Sequence, residues 1–356
     1  MKKKIIFFIP FLNYGGAERV TLLLANKLSA KKYNKYLMFL NNKENHKIEY
    51  GNFQIIDLKK LRLRSSIFKI VKEINSIKPD IIFSSIGYIN IIIIICRYFT
   101  FHKYKIIIRE ANLPSISIKK NKYTKIFKFL YNFFYPKADK ILVSSKKMKN
   151  DMIENFSINS RKIFLLNNPV DCNKILSKID NKKNIKGKKI ELVACGRLTY
   201  QKGFDRLIYW AQKFNISYNL QIIGDGEQRL ILEKLIKEKN LESKIFLIGN
   251  KKEPYQDIFN ADAFLLSSRW EGMPNVVLEA MVCGTTIIAS EEIKQLKEFK
   301  ILIDKKFLNI AKDQDDFINL VNNLKKIKYI NKSNNLPSNF HINQVILIFE
   351  KIIEKL

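Results

Sequence analysis

The sequence predicts an α/β protein built on parallel sheets, and three observations carry that reading. Short apolar runs alternate with segments of helical periodicity along the whole chain, which is the pattern of strands joined through helices. Several runs end on glycine, at Gly15-Gly16, Gly196, Gly224 and Gly249, as tight turns after a strand require. At 356 residues and 47% hydrophobic, the chain can fill two cores of ordinary domain size.

The elements follow in order. A strand is predicted over 4–10, then the Gly15-Gly16 turn and a helix over 17–30. Strand 36–40 leads to a polar loop with Asn41, Asn42 and Asn45. Strand 54–57, a basic helix over 65–77 and strand 80–84 come next. Residues 86–101 continue as a buried helix. Strand 105–109, a basic aromatic helix over 119–137, strand 140–144, a helix over 145–156 and strand 162–166 complete the first half. Asn167-Asn168-Pro169 is a natural break, and the Lys- and Asn-rich stretch 173–189 reads as a linker between domains 1–170 and 171–340. The second half repeats strand and helix: strand 191–195, helix 204–214, strand 220–223, a helix to about 239, strand 244–248, a short helix over 254–260, strand 264–266, a helix from 275, strand 286–289 and a helix over 313–328. The last segment, 343–356, is an amphipathic helix. There is no tandem repeat, only two similar halves.

Composition removes several classes. Cys96, Cys172, Cys195 and Cys283 are scattered without C-x-x-C pairing, which fits a reducing compartment and no structural metal. The opening MKKKIIFFIPF imitates a signal peptide, but its apolar run is short and Pro10 interrupts it, so a buried first strand is the better reading. The run from Ile81 is long enough to span a bilayer. Yet Ser84, Ser85, Gly87 and Asn90 split it, and a strand followed by a buried helix accounts for it. The net charge of +31 is uneven. Residues 1–170 hold 33 basic and 10 acidic side chains, a surplus of 23, and the remainder 31 and 23, a surplus of 8. An anionic membrane surface or a nucleic acid would supply a reason. For nucleic acid there is charge alone, without zinc spacing or an aromatic RNA-binding strand.

The most informative stretch is 264–290, FLLSSRWEGMPNVVLEAMVCGTTIIAS. It holds an apolar strand, a polar loop, a helix with Asn275 as its N-cap, a stop at Gly284 and a second strand. Glu271 lies in the loop and Glu279 inside the helix. In an α/β sheet such a unit opens a ligand crevice at the strand's carboxyl end. The helix N-terminus suits phosphate, and each acid can accept hydrogen bonds from hydroxyls. One phosphate flanked by two hydroxyl-bearing groups describes a nucleotide sugar.

Residues 267–284 fit S-x-x-x-E-G-x-P-x-x-x-x-E-A-x-x-x-G, which resembles the signature of retaining glycosyltransferases of family 4. GRLTYQKGFDRLI (196–208) is similar to that family's diphosphate-binding segment, and FIPFLNYGGAERV (8–20) to its N-terminal glycine-rich loop. Three motifs in family order make the match specific. The resemblance implies the GT-B fold, two Rossmann-like domains facing each other across a cleft, with the terminal helix 341–356 crossing back to the first. It implies transfer of a hexose or N-acetylhexosamine from a nucleotide sugar, UDP-linked above all, to an undecaprenyl-diphosphate-linked glycan in surface polysaccharide or glycan assembly. That places the enzyme in the cytoplasm, peripheral on the inner face of the membrane, with anionic lipid as a partner and no nucleic acid. A nucleotide-sugar epimerase of the same fold is the alternative, but such enzymes lean on histidines and further acids that are not found here.

Roles follow residue by residue from the resemblance. Arg197 and Lys202, beside Gly196 and Gly203, take the diphosphate. Fixed positive groups stabilise a leaving diphosphate, and the bland alternative is two solvated cations. Glu271 contacts the donor sugar and Glu279 the ribose. Gly272, Asn275 and Val276 border the phosphate, and Asn250 lies where relatives hold the base. Gly15 and Gly16 offer backbone N–H groups, while Glu18 and Arg19 cap and solvate their helix. Gly224, Asp225 and Gly226 are turn residues or ligand contacts. Many relatives carry a histidine near the sugar, and His46, His102 and His341 do not match it. Arg109, in R-E-A-N-L-P, either polarises a phosphate or forms an ion pair with Glu110 or Asp139. No Asp-x-Asp metal motif stands where it would serve, so neither metal nor other cofactor is expected. One departure is plain: where relatives continue with Gly-Gly-x-x-E after the strand, this chain reads EEIKQLKEFKILID from 291 to 304.

Overall fold

The computed structural model describes residues 2–11, 15–41, 51, 53–60, 63–119, 123–180, 187–301, 307–326 and 332–356. The chain divides into two compact units, Met1–Pro169 with Ile342–Leu356, and Val170–His341.

The first unit runs β1 (Lys3–Phe11), α1 (Gly16–Lys27), β2 (Tyr33–Asn41), β3 (Gln54–Asp57), α2 (Ile67–Ile77), β4 (Ile81–Ser85), α3 (Gly87–Cys96), β5 (Lys105–Arg109), α4 (Pro114–Lys119), α5 (Thr124–Phe134), β6 (Lys140–Val143), α6 (Lys146–Phe156) and β7 (Ile163–Leu165). The strands form one parallel sheet in the order β3-β2-β1-β4-β5-β6-β7. Helices cover both faces of such a sheet, so its central strands carry continuous apolar runs. In β1, Ile5 through Ile9 are all buried. The second unit runs α7 (Cys172–Leu176), β8 (Ile190–Cys195), α8 (Phe204–Ala211), β9 (Tyr218–Ile223), α9 (Arg229–Glu238), β10 (Ile245–Gly249), α10 (Tyr255–Asn260), β11 (Ala263–Leu266), α11 (Asn275–Val282), β12 (Thr286–Ala289), β13 (Leu308–Ile310) and α12 (Gln314–Asn322). Its parallel sheet has the order β10-β9-β8-β11-β12-β13. The last helix, α13 (Ile342–Glu354), belongs to the first unit. Phe349 meets Phe83 edge-on at 5.5 Å and lies 6.5 Å from Phe7.

Several expectations change in detail. Of the predicted helix over 119–137, Lys119 ends α4, Thr124–Phe134 form α5 and Tyr135–Lys137 a 3-10 turn, while residues 120–122 lie outside the described residues. Pro136 lacks the N–H that would continue α5. The predicted linker 173–189 begins instead as α7. Asp171 accepts from the Lys174 N–H at 3.2 Å and Ile175 is buried; one cap and one apolar anchor make a helix too short to show periodicity. Residues 181–186 of that stretch, and Asn42 and Asn45 of the polar loop, lie outside the described residues. Helix 313–328 shortens to α12, capped by Asp313. Strand β13 had no expectation, for its three residues are too few to read. The apolar run from Ile81 is β4 followed by the ten-residue α3, about 15 Å long. Among the described residues no helix is long and apolar enough to cross a membrane.

Part of the lysine excess works inside the fold. The last carbonyls of a helix have no intrahelical partner, and a cation there also meets the negative end of the dipole. Lys35 donates to Ala25 O and Leu28 O behind α1, both at 2.8 Å. Lys140 donates to Ile352 O of α13 at 2.7 Å. Lys332 reaches Phe259 O and Ala261 O at the end of α10, each at 2.5 Å.

A polar network lies inside the first unit. Asn90 donates to Arg109 O, and both Asn90 and the Tyr135 hydroxyl donate to Glu110 Oε1. Burial pushes the Glu110 carboxyl up to about 7, against the pull of those donors. Its folded value exceeds its unfolded one, so the fold favours the protonated form. Stability should therefore fall as pH rises from about 4.5 to 7, on the order of 3 kcal/mol in total. Glu110→Gln keeps the Oε1 acceptor and removes the charge. Its melting temperature should exceed the parent's at pH 8 and match it at pH 5. Equal differences at both pH values would contradict this.

Candidate functional site

The two strand orders each reverse once, at β1/β4 and at β8/β11. In the second unit, the chain leaves β8 toward β9 and leaves β11 toward β12. Their carboxyl ends therefore open a crevice, the place where open α/β sheets bind ligands. Both signature segments sit at this point, 196–203 after β8 and 267–274 after β11.

The two loops are stitched along their length. The Arg269 N–H donates to Gln201 O at 2.7 Å, and Gln201 Nε2 donates to Trp270 O at 2.9 Å. Ser267 Oγ donates to Lys202 O at 3.1 Å. Arg269 grips Asp205 with two bonds, at 2.8 and 2.6 Å, and lies over the Tyr200 ring at 3.9 Å. Arg206 donates to Ser267 O and Ser268 O, each at 2.7 Å, and to Ser290 Oγ at 3.0 Å, and pairs with Glu292. Burial alone would push the Glu292 carboxyl up; Arg206 beside it holds it below the usual range. Gly203 permits the close approach. It sits at φ +67, and a Cβ there would lie 2.2 Å from Ser267 O.

At the centre, Lys202 Nζ meets Glu271 Oε1 at 2.6 Å. The Ser268 hydroxyl donates to the same oxygen at 2.7 Å, and Gln201 Nε2 approaches Oε2 at 3.4 Å. The stem of Lys202 packs on Gly196, where a Cβ would be 3.1 Å from its Cε. Arg197 points outward, and its guanidinium has no acid partner among the described residues. It is thus a cation available to an incoming anion. The expectation that Arg197 and Lys202 act alike is refined: one is exposed, the other already paired.

The N-terminus of α11 adjoins this pair. Pro274, in extended conformation, is the N-cap, and Asn275 is the first helical residue, which corrects Asn275 as the cap. The fixed φ of proline suits that boundary. Asn275 and Val276 are part-exposed and Gly272 is buried; the N–H groups of a first turn have no intrahelical acceptor. Gly284 is left-handed and ends the helix as expected. Glu279, one turn further in, is buried. Its carboxylate, after burial itself, helps push up the thiol of Cys195 at the end of β8, so Glu279 lies close to the β8 strand end. Beyond β8, three glycines run in register. Gly196 N donates to Ile223 O and Gly224 N to Gly249 O, at 2.9 and 2.8 Å. A Cβ on Gly224 would be 1.9 Å from Gly196 O, so Gly224 serves backbone packing. Asn250 follows Gly249 and is exposed.

The remaining candidates belong to the first unit. Gly15 is the N-cap of α1 and Gly16 its first residue. The Glu18 carboxylate folds over Gly15, where a Cβ would be 2.3 Å from Oε2, so an acid of the chain sits at the N-terminus of α1. Arg109 is buried and donates to Ser85 Oγ at 3.2 Å and to Asn168. Burial lowers its pKa to about 10, so it stays charged at neutral pH. The ion pair envisaged with Glu110 or Asp139 is not formed among the described residues: Asp139 pairs with Arg97 and Lys105. Arg109 ties strand ends together.

Gln201, Arg206, Ser268 and Gln295 were not foreseen. Arg206 had one signal, a cation among the buried Phe204, Leu207 and Ile208 of α8. Gln295 had none.

Residues 14–174 match the family described as Glycosyltransferase Family 4, and residues 177–340 the one described as Glycosyl transferases group 1. The N-acetylgalactosamine-N,N'-diacetylbacillosaminyl-diphospho-undecaprenol 4-alpha-N-acetylgalactosaminyltransferase of Campylobacter jejuni is 31% identical over 83% of this chain and 83% of its own. The chain belongs to glycosyltransferase family 4. A further relative, the UDP-Gal:alpha-D-GlcNAc-diphosphoundecaprenol alpha-1,3-galactosyltransferase of Escherichia coli, is 28% identical over 60% of this chain and 58% of its own. The Anabaena HepE structure with UDP-glucose superposes with a TM-score of 0.78 at 17% identity, over 99% of this chain and 100% of that one. It shares the fold, and this glycosyltransferase therefore has the GT-B architecture of two Rossmann-like domains.

Proposed function

We propose that this glycosyltransferase moves a hexose or N-acetylhexosamine from a UDP-sugar to a glycan carried on undecaprenyl diphosphate, with retention and without a metal. The observation that carries it is the convergence of Arg197, the Lys202–Glu271 pair and the N-terminus of α11 at the β8/β11 strand ends. In this reading Arg197 and Lys202 take the diphosphate, helped by backbone N–H groups of Asn275 and Val276. Glu279 holds the ribose, Glu271 the transferred sugar, and Asn250 lies toward the base. The acceptor hydroxyl attacks the anomeric carbon on the face the diphosphate leaves. The carbon–oxygen bond to the β-phosphate breaks, and a phosphate oxygen takes the acceptor proton. The names of the two relatives support the lipid diphosphate acceptor, and one of them the UDP donor.

The test is transfer from a panel of nucleotide sugars to undecaprenyl-diphosphate glycan, in EDTA, with the product's anomeric configuration read by NMR. An α-linked product from a UDP-sugar is expected. Loss of activity in EDTA, restored by magnesium, would overturn the metal-free part. Glu279→Ala should weaken UDP binding about tenfold, whereas Glu271→Ala should leave it within about twofold and impair transfer. Equal losses of UDP affinity would show the two roles to be misassigned.

The same reading places the protein on the inner, cytoplasmic face of the membrane, docked through its basic first unit. On α5, Phe127 and Leu130 pack inward while Ile126, Phe129 and Phe133 are 57, 64 and 49% exposed. Lys125 and Lys128 share the exposed face, and Lys137 lies over the Phe133 ring at 4.1 Å. Exposed rings among lysines suit the headgroup boundary of an anionic bilayer, with roughly 1 kcal/mol per lysine. Lys120 and Lys122 of this stretch lie outside the described residues. Replacing Lys119, Lys120, Lys122, Lys125 and Lys128 with Gln should cut sedimentation with phosphatidylglycerol vesicles severalfold at unchanged melting temperature. Equal binding by parent and variant would exclude this face.

A further inference from the structure

From 291 the chain replaces the family's glycine loop with EEIKQLKEF. Ile293 and Leu296 anchor this segment in the apolar core of the second unit, both fully buried. Arg206 holds its start through Ser290 and Glu292. Between the two anchors, Gln295 is 3% exposed. Its Nε2 donates to the backbone carbonyl of Glu271 at 2.9 Å. Its Oε1 is buried without a hydrogen-bond partner among the described residues. A buried acceptor left unsatisfied lowers stability, and an apolar side chain of similar size would exchange it for another, the Glu271 carbonyl, with little net change. Packing thus gives the amide no advantage, and its one bond goes to the peptide of Glu271. Lys202, Ser268 and Gln201 hold the carboxylate of Glu271; Gln295 holds its main chain.

We propose that Gln295 is a positioning residue for the transfer reaction, fixing the Glu271 peptide so that the carboxylate meets the donor sugar in one orientation. The proposal rests on the reading of Glu271 as the group that touches that sugar. A misplacement of about 1 Å near reacting atoms is enough to lower rates strongly. The role is distinct from structural support: removing the amide relieves one stranded acceptor, Gln295 Oε1, and strands another, the Glu271 carbonyl, so stability should change little while turnover falls.

The experiment uses the full chain. Gln295→Leu should leave the melting temperature nearly unchanged, keep the Kd for UDP within about twofold, and lower kcat about tenfold. Gln295→Glu should add a limb to the pH profile: the introduced carboxyl donates to the Glu271 carbonyl only when protonated, so kcat falls as pH rises through its pKa. In a Glu271→Ala background, Gln295→Leu should no longer change the residual rate, since partners acting through one group are non-additive. A melting temperature several degrees lower, with UDP binding lost in parallel, would make Gln295 structural and overturn the proposal. So would a tenfold loss that persists in the Glu271→Ala background. A parent without transferase activity overturns the reading of Glu271 and this proposal with it. An active parent matched in kcat by Gln295→Leu overturns the proposal alone.

Discussion

Arg197→Ala and Lys202→Ala should each lower turnover on the order of a hundredfold, about 2.7 kcal/mol of barrier, but only Lys202→Ala should lower stability. The difference lies in their surroundings. Arg197 is exposed, with no acid partner among the described residues, so its removal leaves nothing behind. Lys202 is bound to Glu271, whose side chain is 7% exposed. Removing the lysine strands a buried carboxylate with Ser268 and Gln201 as its remaining donors. That should cost about 1–3 kcal/mol, or several degrees of melting temperature for a unit of this size. Glu271→Gln in the Lys202→Ala background should recover the melting temperature and not the turnover. Thermal unfolding and donor turnover on the four proteins decide the matter. Unimpaired turnover in Arg197→Ala and Lys202→Ala would remove the diphosphate clamp.

Gly203→Ala should be at least as damaging, by a different route. At φ +67 an alanine costs about 1–2 kcal/mol in backbone conformation alone. Its Cβ would also stand 2.2 Å from Ser267 O, a main-chain atom at the start of the other loop. Neither loop can move far, because Arg206 and Arg269 bind them together. The combined cost should reach about 3 kcal/mol or more, with transfer lost as the Lys202–Glu271 contact opens. A variant that melts within a degree of the parent and turns over normally would show that the approach of the loops is not needed.

The residues that carry the chemistry in this reading were legible where their spacing is local. Glu271 and Glu279 stand on one strand–loop–helix unit, and Arg197, Lys202 and Gly203 on another. Turn chemistry and helix start signals act over a few residues, so sequence alone places such groups at strand ends. The parallel α/β class followed from the same short-range patterns. Boundaries were weaker, as Pro274 in place of Asn275 at the α11 cap and the end of α5 ahead of Pro136 illustrate.

Sequence by itself determined the alternation of strands and helices, the glycines at the ends of β8, β9 and β10, and the two motif loops. Tertiary structure decided which strand ends are neighbours. Only the order β10-β9-β8-β11-β12-β13 brings the loop after β8 against the loop after β11, making a 2.6 Å ion pair of residues 69 apart in the chain. The same ordering recruited Arg206 to Ser267 and Ser268, and Gln295 to the Glu271 carbonyl. In the first unit the order β3-β2-β1-β4-β5-β6-β7 likewise buried Arg109 against Ser85 and Asn168. Hydrogen bonds of this kind depend on where distant backbone comes to rest. That is settled by the packing of whole sheets, which no local pattern encodes.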